Sequence, residues 1–279
     1  MNGAGSRGAS RPALLLGLVL APLVAGCAGS SPLLHPAHAL AAGDVRAMAG
    51  ISGNAIVGPA ASSIRDAANL AAANGGKSVA SNAYADGVIS DVGIAPGIAP
   101  FAGARVGVGS DVEGGIVYTG RGARLDLRKA FVTGKANSIA FSVGAAFRAA
   151  FIGRGSDSLP GVATNGVFGY GFDVPLLVGW RSTAGLYQIW AGVRGGLDHI
   201  GIEPRSTEPV TGAPEFPGKL SANRLFVGAL VGLAIGFRHV HVALELDAQY
   251  EALWGTFAGT SGAIQGATIV PASALLVDF

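Results

Sequence analysis

Residues 225–250 constrain the fold more than any other stretch. The second half reads His239-Val240-His241-Val242-Ala243-Leu244-Glu245-Leu246-Asp247-Ala248-Gln249-Tyr250. Every even position is apolar, and the odd positions carry most of the polar groups. Period two over twelve residues describes a strand with one apolar and one polar face. The first half alternates too, with Leu225, Val227, Ala229, Val231, Leu233, Ile235 and Phe237 on one face. Phe226, Gly228, Leu230, Gly232, Ala234 and Gly236 share the other. A two-residue turn at Arg238-His239 aligns both apolar faces and predicts a hairpin. A soluble sandwich would rarely make the inner face of one arm mostly glycine and alanine.

Composition points the same way. Charged residues are 13% of 279, about half the usual share for a soluble domain, while hydrophobic residues are 50% and mean hydropathy is +0.47. Past the first 27 residues no apolar run of about 20 residues supplies a spanning helix. High apolarity without such a helix favours a closed barrel, the other structure that satisfies the backbone in lipid. The predicted fold is therefore all-β: a closed antiparallel up-and-down transmembrane barrel of about ten strands, eight to twelve being compatible with the pattern. Net charge is +2, which excludes electrostatic support for a nucleic-acid partner.

Ten alternating runs support this count: 43–56, 97–109, 115–119, 123–132, 138–151, 168–181, 186–199, the two arms of the hairpin, and 267–279. Pro175 should mark a bulge or weak pairing in the sixth. Lys129 falls on the lipid face of the fourth, near an interface where its stem can snorkel. Connections alternate. The long ones, 57–95, 152–167, 200–222 and 254–266, all fall at odd positions, as they do when every long loop lies on one side of a membrane. Within the first, residues 61–73 predict a short helix with Ser62 or Ser63 as N-cap and Gly75-Gly76 as its stop.

Residues 1–26 read as a secretory signal, with Arg7 and Arg11 before an apolar core. The core ends in Val24-Ala25-Gly26-Cys27, which resembles the bacterial lipobox. That resemblance implies acylation of Cys27, the only cysteine, and a periplasmic, lipid-anchored N-terminus. Residues 27–42 are then a lipidated tether and 43–279 the barrel domain. The alternating end Ile269, Pro271, Ser273, Leu275, Val277, Phe279 resembles the C-terminal signature of outer-membrane barrel proteins. It implies recognition by the barrel assembly machinery and a place in a Gram-negative outer membrane.

If the facing is right, the lumen holds Arg105, Arg124, Asp126, Arg128, Arg148, Asp173, Arg194, Asp198, Glu245 and Asp247. Five cations and five anions in a narrow barrel pair with one another and fill it, and Glu245 is expected to pair with an arginine such as Arg148 or Arg194. The expected role is structural, or a narrow porin-like passage or binding site for a small solute, with the bilayer as partner, no cofactor, no metal and no catalysis. Two alternatives stand beside it. One is a hydrolase at the barrel rim using Asp198 and His199, by analogy with omptin proteases. The other is a lipocalin-like barrel with Val231, Leu233, Leu244 and Leu246 turned inward on an apolar ligand. His239 and His241, two apart on one strand near Glu245, are a weak metal-pair pattern better read as a polar rim.

Overall fold

The computed structural model describes residues 31–133, 138–152, 159–162, 166–203 and 218–279. Ten strands close into one antiparallel barrel. They are β1 (Val45–Val57), β2 (Gly97–Gly109), β3 (Val112–Tyr118), β4 (Gly122–Thr133), β5 (Ile139–Ala150), β6 (Val167–Arg181), β7 (Tyr187–Ile202), β8 (Leu220–Phe237), β9 (Val240–Phe257) and β10 (Thr260–Asp278). Each pairs with its sequence neighbour, and β10 returns to β1.

The faces fall where period two puts them. Leu244 is 54% exposed and Val231 52%, whereas Glu245 is 4% exposed and Asp247 is fully buried. Leu125, Leu127, Phe172, Val174, Leu197 and Leu275 continue the apolar exterior around the barrel. Outward apolar faces overturn the lipocalin-like alternative, which needed them inside. Lys129 donates to the Ser110 carbonyl at the β2–β3 turn and lies 6.0 Å from the Phe131 ring, so its charge reaches the barrel end.

Pro175 and Pro271 each interrupt one ladder and leave the other intact. Opposite Pro175 the β5–β6 register skips Gly144 and Ala145, and opposite Pro271 the β1–β10 register skips Gly53 and Asn54. A missing N–H explains the gap on one side only.

The strands at the C-terminal end are longer than the pattern predicts. The stretch 254–266, expected as a long loop, is a two-residue turn at Ala258 and Gly259, both at positive φ, with β9 and β10 continuing to it. The glycines that suggested a loop clear space instead. A Cβ on Gly262 would stand 2.5 Å from Asp86 Oδ1, and one on Gly266 2.5 Å from the Ala60 Cβ.

Asp86 and Ala60 belong to a helical hairpin in the first long connection. Helix α1 (Pro59–Ala73) starts at Gly58 with no side-chain cap, so Ser62 and Ser63 lie inside it; Ser63 Oγ donates to the Ala60 carbonyl. Helix α2 (Asn82–Ile94), not predicted, is capped by Ser81, whose side chain accepts from the Tyr84 amide. Its apolar run is buried all round, so it lacks the one-sided periodicity that marks a surface helix. Tyr84, Val88, Ile89 and Val92 form a core with Leu220, Leu253 and Phe257 and cover the long-loop mouth.

The largest departure concerns the tether. Residues 31–40 are packed inside the barrel: Leu33, Leu34, His35 and Ala37 are almost fully buried. They form a second core with Met48, Phe101, Leu177, Trp190, Leu230 and Leu276, all turned into the lumen. The lower lumen is thus an apolar chamber filled by the chain's own N-terminal segment. Residues 27–30, Cys27 among them, lie outside the described residues, as do residues 1–26, the expected signal sequence.

Candidate functional site: the filled lumen

Three layers fill the barrel from the short-turn end to the long-loop end. The first is the plug, residues 31–40. Strand charges fix its backbone. The Leu33 and Leu34 amides donate to Glu245 Oε1 and Oε2 at 2.7 and 2.9 Å, and the Leu40 amide donates to Glu113 Oε2 at 2.9 Å. Arg128 donates to the carbonyls of Pro36 and of His38, the latter at 2.8 Å, and Arg194 to that of Ser31 at 2.7 Å.

Magnitudes show that these bonds are needed. Burying Leu33 and Leu34 contributes about 1.5–3 kcal/mol each. Ordering the backbone of this segment costs about 1–2 kcal/mol per residue. Apolar contact alone does not hold the plug, whereas hydrogen bonds to charged groups add about 1.5–3 kcal/mol each. Glycine lets the segment in: a Cβ on Gly107 would stand 1.9 Å from the Ala41 carbonyl oxygen, and one on Gly179 2.9 Å from the Ala37 Cβ. Burial, and then the facing Arg128, Arg105 and Arg124, hold the His35 imidazole well below its ordinary pKa.

The second layer is an ion-pair lattice. Arg105 binds Glu113 (2.5 Å) and Asp126 (3.1 Å), and Arg128 binds Glu113 (2.8 Å). Arg124 bridges Asp126 (2.5 Å) and Asp173 (3.0 Å). Asp173 also takes Arg194 at 3.1 Å and Arg148 at 3.4 Å. Arg194 continues to Asp247 (3.4 Å), and Arg148 to Asp198 (2.7 Å). Arg224 closes the run, joining Asp198 (3.5 Å) to Glu251 (2.7 Å). At its centre lies Phe226, turned inward and 1% exposed, with the guanidiniums of Arg148, Arg224 and Arg194 at 4.6, 5.1 and 5.5 Å from its ring. That ring offers the three cations a π face beside the carboxylates that pair with them.

All ten charges predicted for the lumen face it. Nine join the lattice; Glu245 does not, because its oxygens hold the plug amides and the Trp190 indole N–H (3.0 Å) rather than an arginine. Sequence reading missed Glu113, Arg224 and Glu251. Each lies just beyond a predicted strand end, where period two was still running but had been cut by a presumed loop.

The third layer is the helical cap. Arg121 donates to the Val92 carbonyl at 2.6 Å, near the end of α2. Asn54 donates to the Ile94 carbonyl at 2.6 Å, and the Ala263 amide donates to Asp86. The first two bonds satisfy carbonyls at the end of α2 that would otherwise be buried unpaired.

The rim residues do not form a reacting pair. Asp198 and His199 are neighbours on β7 and face opposite sides. Asp198 is held by Arg148 and Arg224, while His199 Nδ1 lies 3.1 Å from Asn223 Oδ1 and the ring packs beside Tyr170 and Phe168 on the exterior. His239 sits exposed in the β8–β9 turn, and His241 is buried with Nε2 3.1 Å from the Gly185 carbonyl. Among the described residues no group of three or more His, Cys, Asp or Glu side chains could hold a metal.

An apolar exterior, a charged interior and a ring of ten antiparallel strands define a transmembrane β-barrel. No family model and no curated protein matches the chain. Among solved structures it is similar to neisserial surface protein A (11% identity, TM-score 0.31, covering 85% of this chain and 96% of that one). It is also similar to Ail, the attachment invasion locus protein of Yersinia pestis (10%, 0.27, 85% and 99%). A third is the outer membrane protease OmpT of Escherichia coli (7%, 0.34, 85% and 97%). The class assignment rests on the closed strand order and the strand facing, not on these overlaps.

Proposed function

We propose that the chain is an outer-membrane β-barrel lipoprotein of a Gram-negative envelope whose role is structural: a closed membrane-embedded scaffold rather than a passage. The filling of the lumen carries this reading. Plug, lattice and helical cap occupy successive levels, and each is tied to strand side chains. The short turns then face the periplasm, and the cap and long loops face outward. The alternating strand ending at Phe279, with its apolar side outward, suits recognition by the barrel assembly machinery. We assign no catalysis, since the carboxylate of the rim pair is taken up in ion pairs.

Lipidation of Cys27 is part of the proposal and meets a geometric condition. Ser31 sits beside Arg194, seven residues up β7 from Tyr187, roughly 18 Å above the short-turn rim for a tilted strand. Four residue steps separate Ser31 from Cys27 and span at most about 14 Å. An acyl chain on Cys27 therefore requires the plug to unseat, or the acylated end to leave by the long-loop mouth. Palmitate labelling of wild type and Cys27→Ser tests the lipid; equal incorporation removes the lipoprotein part. The closed-barrel part is tested by conductance of the purified protein in planar bilayers. Silence is expected, and ohmic steps would replace this reading with a passage.

A further inference from the structure

At the short-turn mouth, below the plug, a cavity of about 230 Å³ stays open, lined by Arg46, Arg181, Arg238, Asp44, Asp278 and His241 among others. Its charges are unevenly committed. Arg46 and Asp278 form a two-bond pair at 2.5 and 2.8 Å, each consuming the other. Arg181, half-buried at the end of β6, has no acidic partner among the described residues and faces the like charge of Arg46. Arg238 extends from the β8–β9 turn over the Phe237 ring at 5.1 Å. Asp44 is exposed and is the remaining acid. His241 is 3% exposed, and its Nδ1 is buried with no hydrogen-bond partner.

A half-buried guanidinium without a carboxylate and a second guanidinium on a turn border one open space. Buried polar groups ordinarily have partners, and one lacking a partner calls for a ligand to supply it. We infer that this mouth is a binding site for a phosphate-type oxyanion, held by Arg181 and Arg238. Arginine suits such a group because its planar fork gives two parallel N–H bonds to oxygen. The anion is either free phosphate or the phosphate of a lipid headgroup in the adjoining leaflet. The inference rests on the closed-barrel reading only in placing this mouth in the periplasm; conductance and phosphate binding fail independently.

The test is calorimetric titration of the folded protein with inorganic phosphate at low salt, in a phosphate-free maltoside detergent and in nanodiscs of phosphatidylglycerol. Saturable binding is expected in the detergent. Arg181→Gln should weaken it about tenfold, the loss of one charge-assisted hydrogen bond, while Lys219→Gln, exposed at the far end of the barrel, should leave it unchanged. Binding retained in phosphatidylglycerol identifies free phosphate as the ligand, and binding lost there identifies the headgroup. Heat-modifiable gel mobility confirms folding. If Arg181→Gln does not fold, Arg238→Gln, on an exposed turn, takes its place with the same expectation. No saturable binding by wild type, wild-type affinity in the arginine variant, or equal weakening in Lys219→Gln overturns the inference.

Discussion

Glu245 concentrates the residue-scale argument. One carboxylate accepts from the Leu33 and Leu34 amides and from the Trp190 indole. Removing it leaves three buried donors without an acceptor, at about 1–3 kcal/mol each. Glu245→Ala should therefore lower stability by about 3 kcal/mol or more, read from the guanidinium midpoint of heat-modifiable mobility in detergent. Replacing Arg148 or Arg194 in that background should give no relief, because neither is its partner. Relief on removing either arginine would restore the ion-pair expectation drawn from the sequence. Parity along a strand placed Glu245 inside; it carries no information about what fills the inside. Partner identity depends on a segment some 210 residues earlier whose Gly29-Ser30-Ser31-Pro32 start and Pro36 read as an exposed linker. Its hydrophobic content, Leu33 and Leu34, was too short to signal burial by period.

At the scale of elements, strand facing was legible because lipid outside and charge inside impose opposite chemistry on alternate residues. Strand ends were not. Glu113, Arg224 and Glu251 lie on β3, β8 and β9 beyond their predicted limits, and the Gly-rich run after Trp254 imitates a loop. Its glycines answer to the packing of α1 and α2, which local sequence cannot show. Helix α2 was illegible for a related reason, since a helix buried on every side has no polar face to set its period. Facing itself predicts a sharp asymmetry. Leu244 stands outward between Ala243 and Glu245, and Leu244→Arg places a charge in lipid at a cost of about 2–4 kcal/mol near the bilayer midplane. Folding yield into bilayers should drop for Leu244→Arg and stay near wild type for Leu244→Ile. Equal yields of the Arg and Ile variants would mean that this face does not meet hydrocarbon.

Taken whole, the molecule is a barrel that its own chain closes twice, with a helical hairpin over one mouth and an N-terminal segment inside the other half. The lattice between them suits these two elements better than it suits transport. Its cations each have carboxylate partners, and breaking one pair would strand a buried charge at a cost of several kcal/mol. The plug is the element on which the closed barrel depends. Ala37 and Gly179 face each other inside the barrel, with 2.9 Å from the Ala37 Cβ to the place a Cβ on Gly179 would take. A disulfide needs about 3.5–4.5 Å between these atoms, so a shift of well under 2 Å suffices. The decisive measurement is oxidation of Ala37→Cys with Gly179→Cys in a Cys27→Ser background, in membranes, followed by mapping of the cross-link. The plugged barrel predicts efficient formation of this one bond in the folded, heat-modifiable species. A folded double variant whose two thiols stay free under oxidation would contradict it, and would put residues 31–40 outside the lumen.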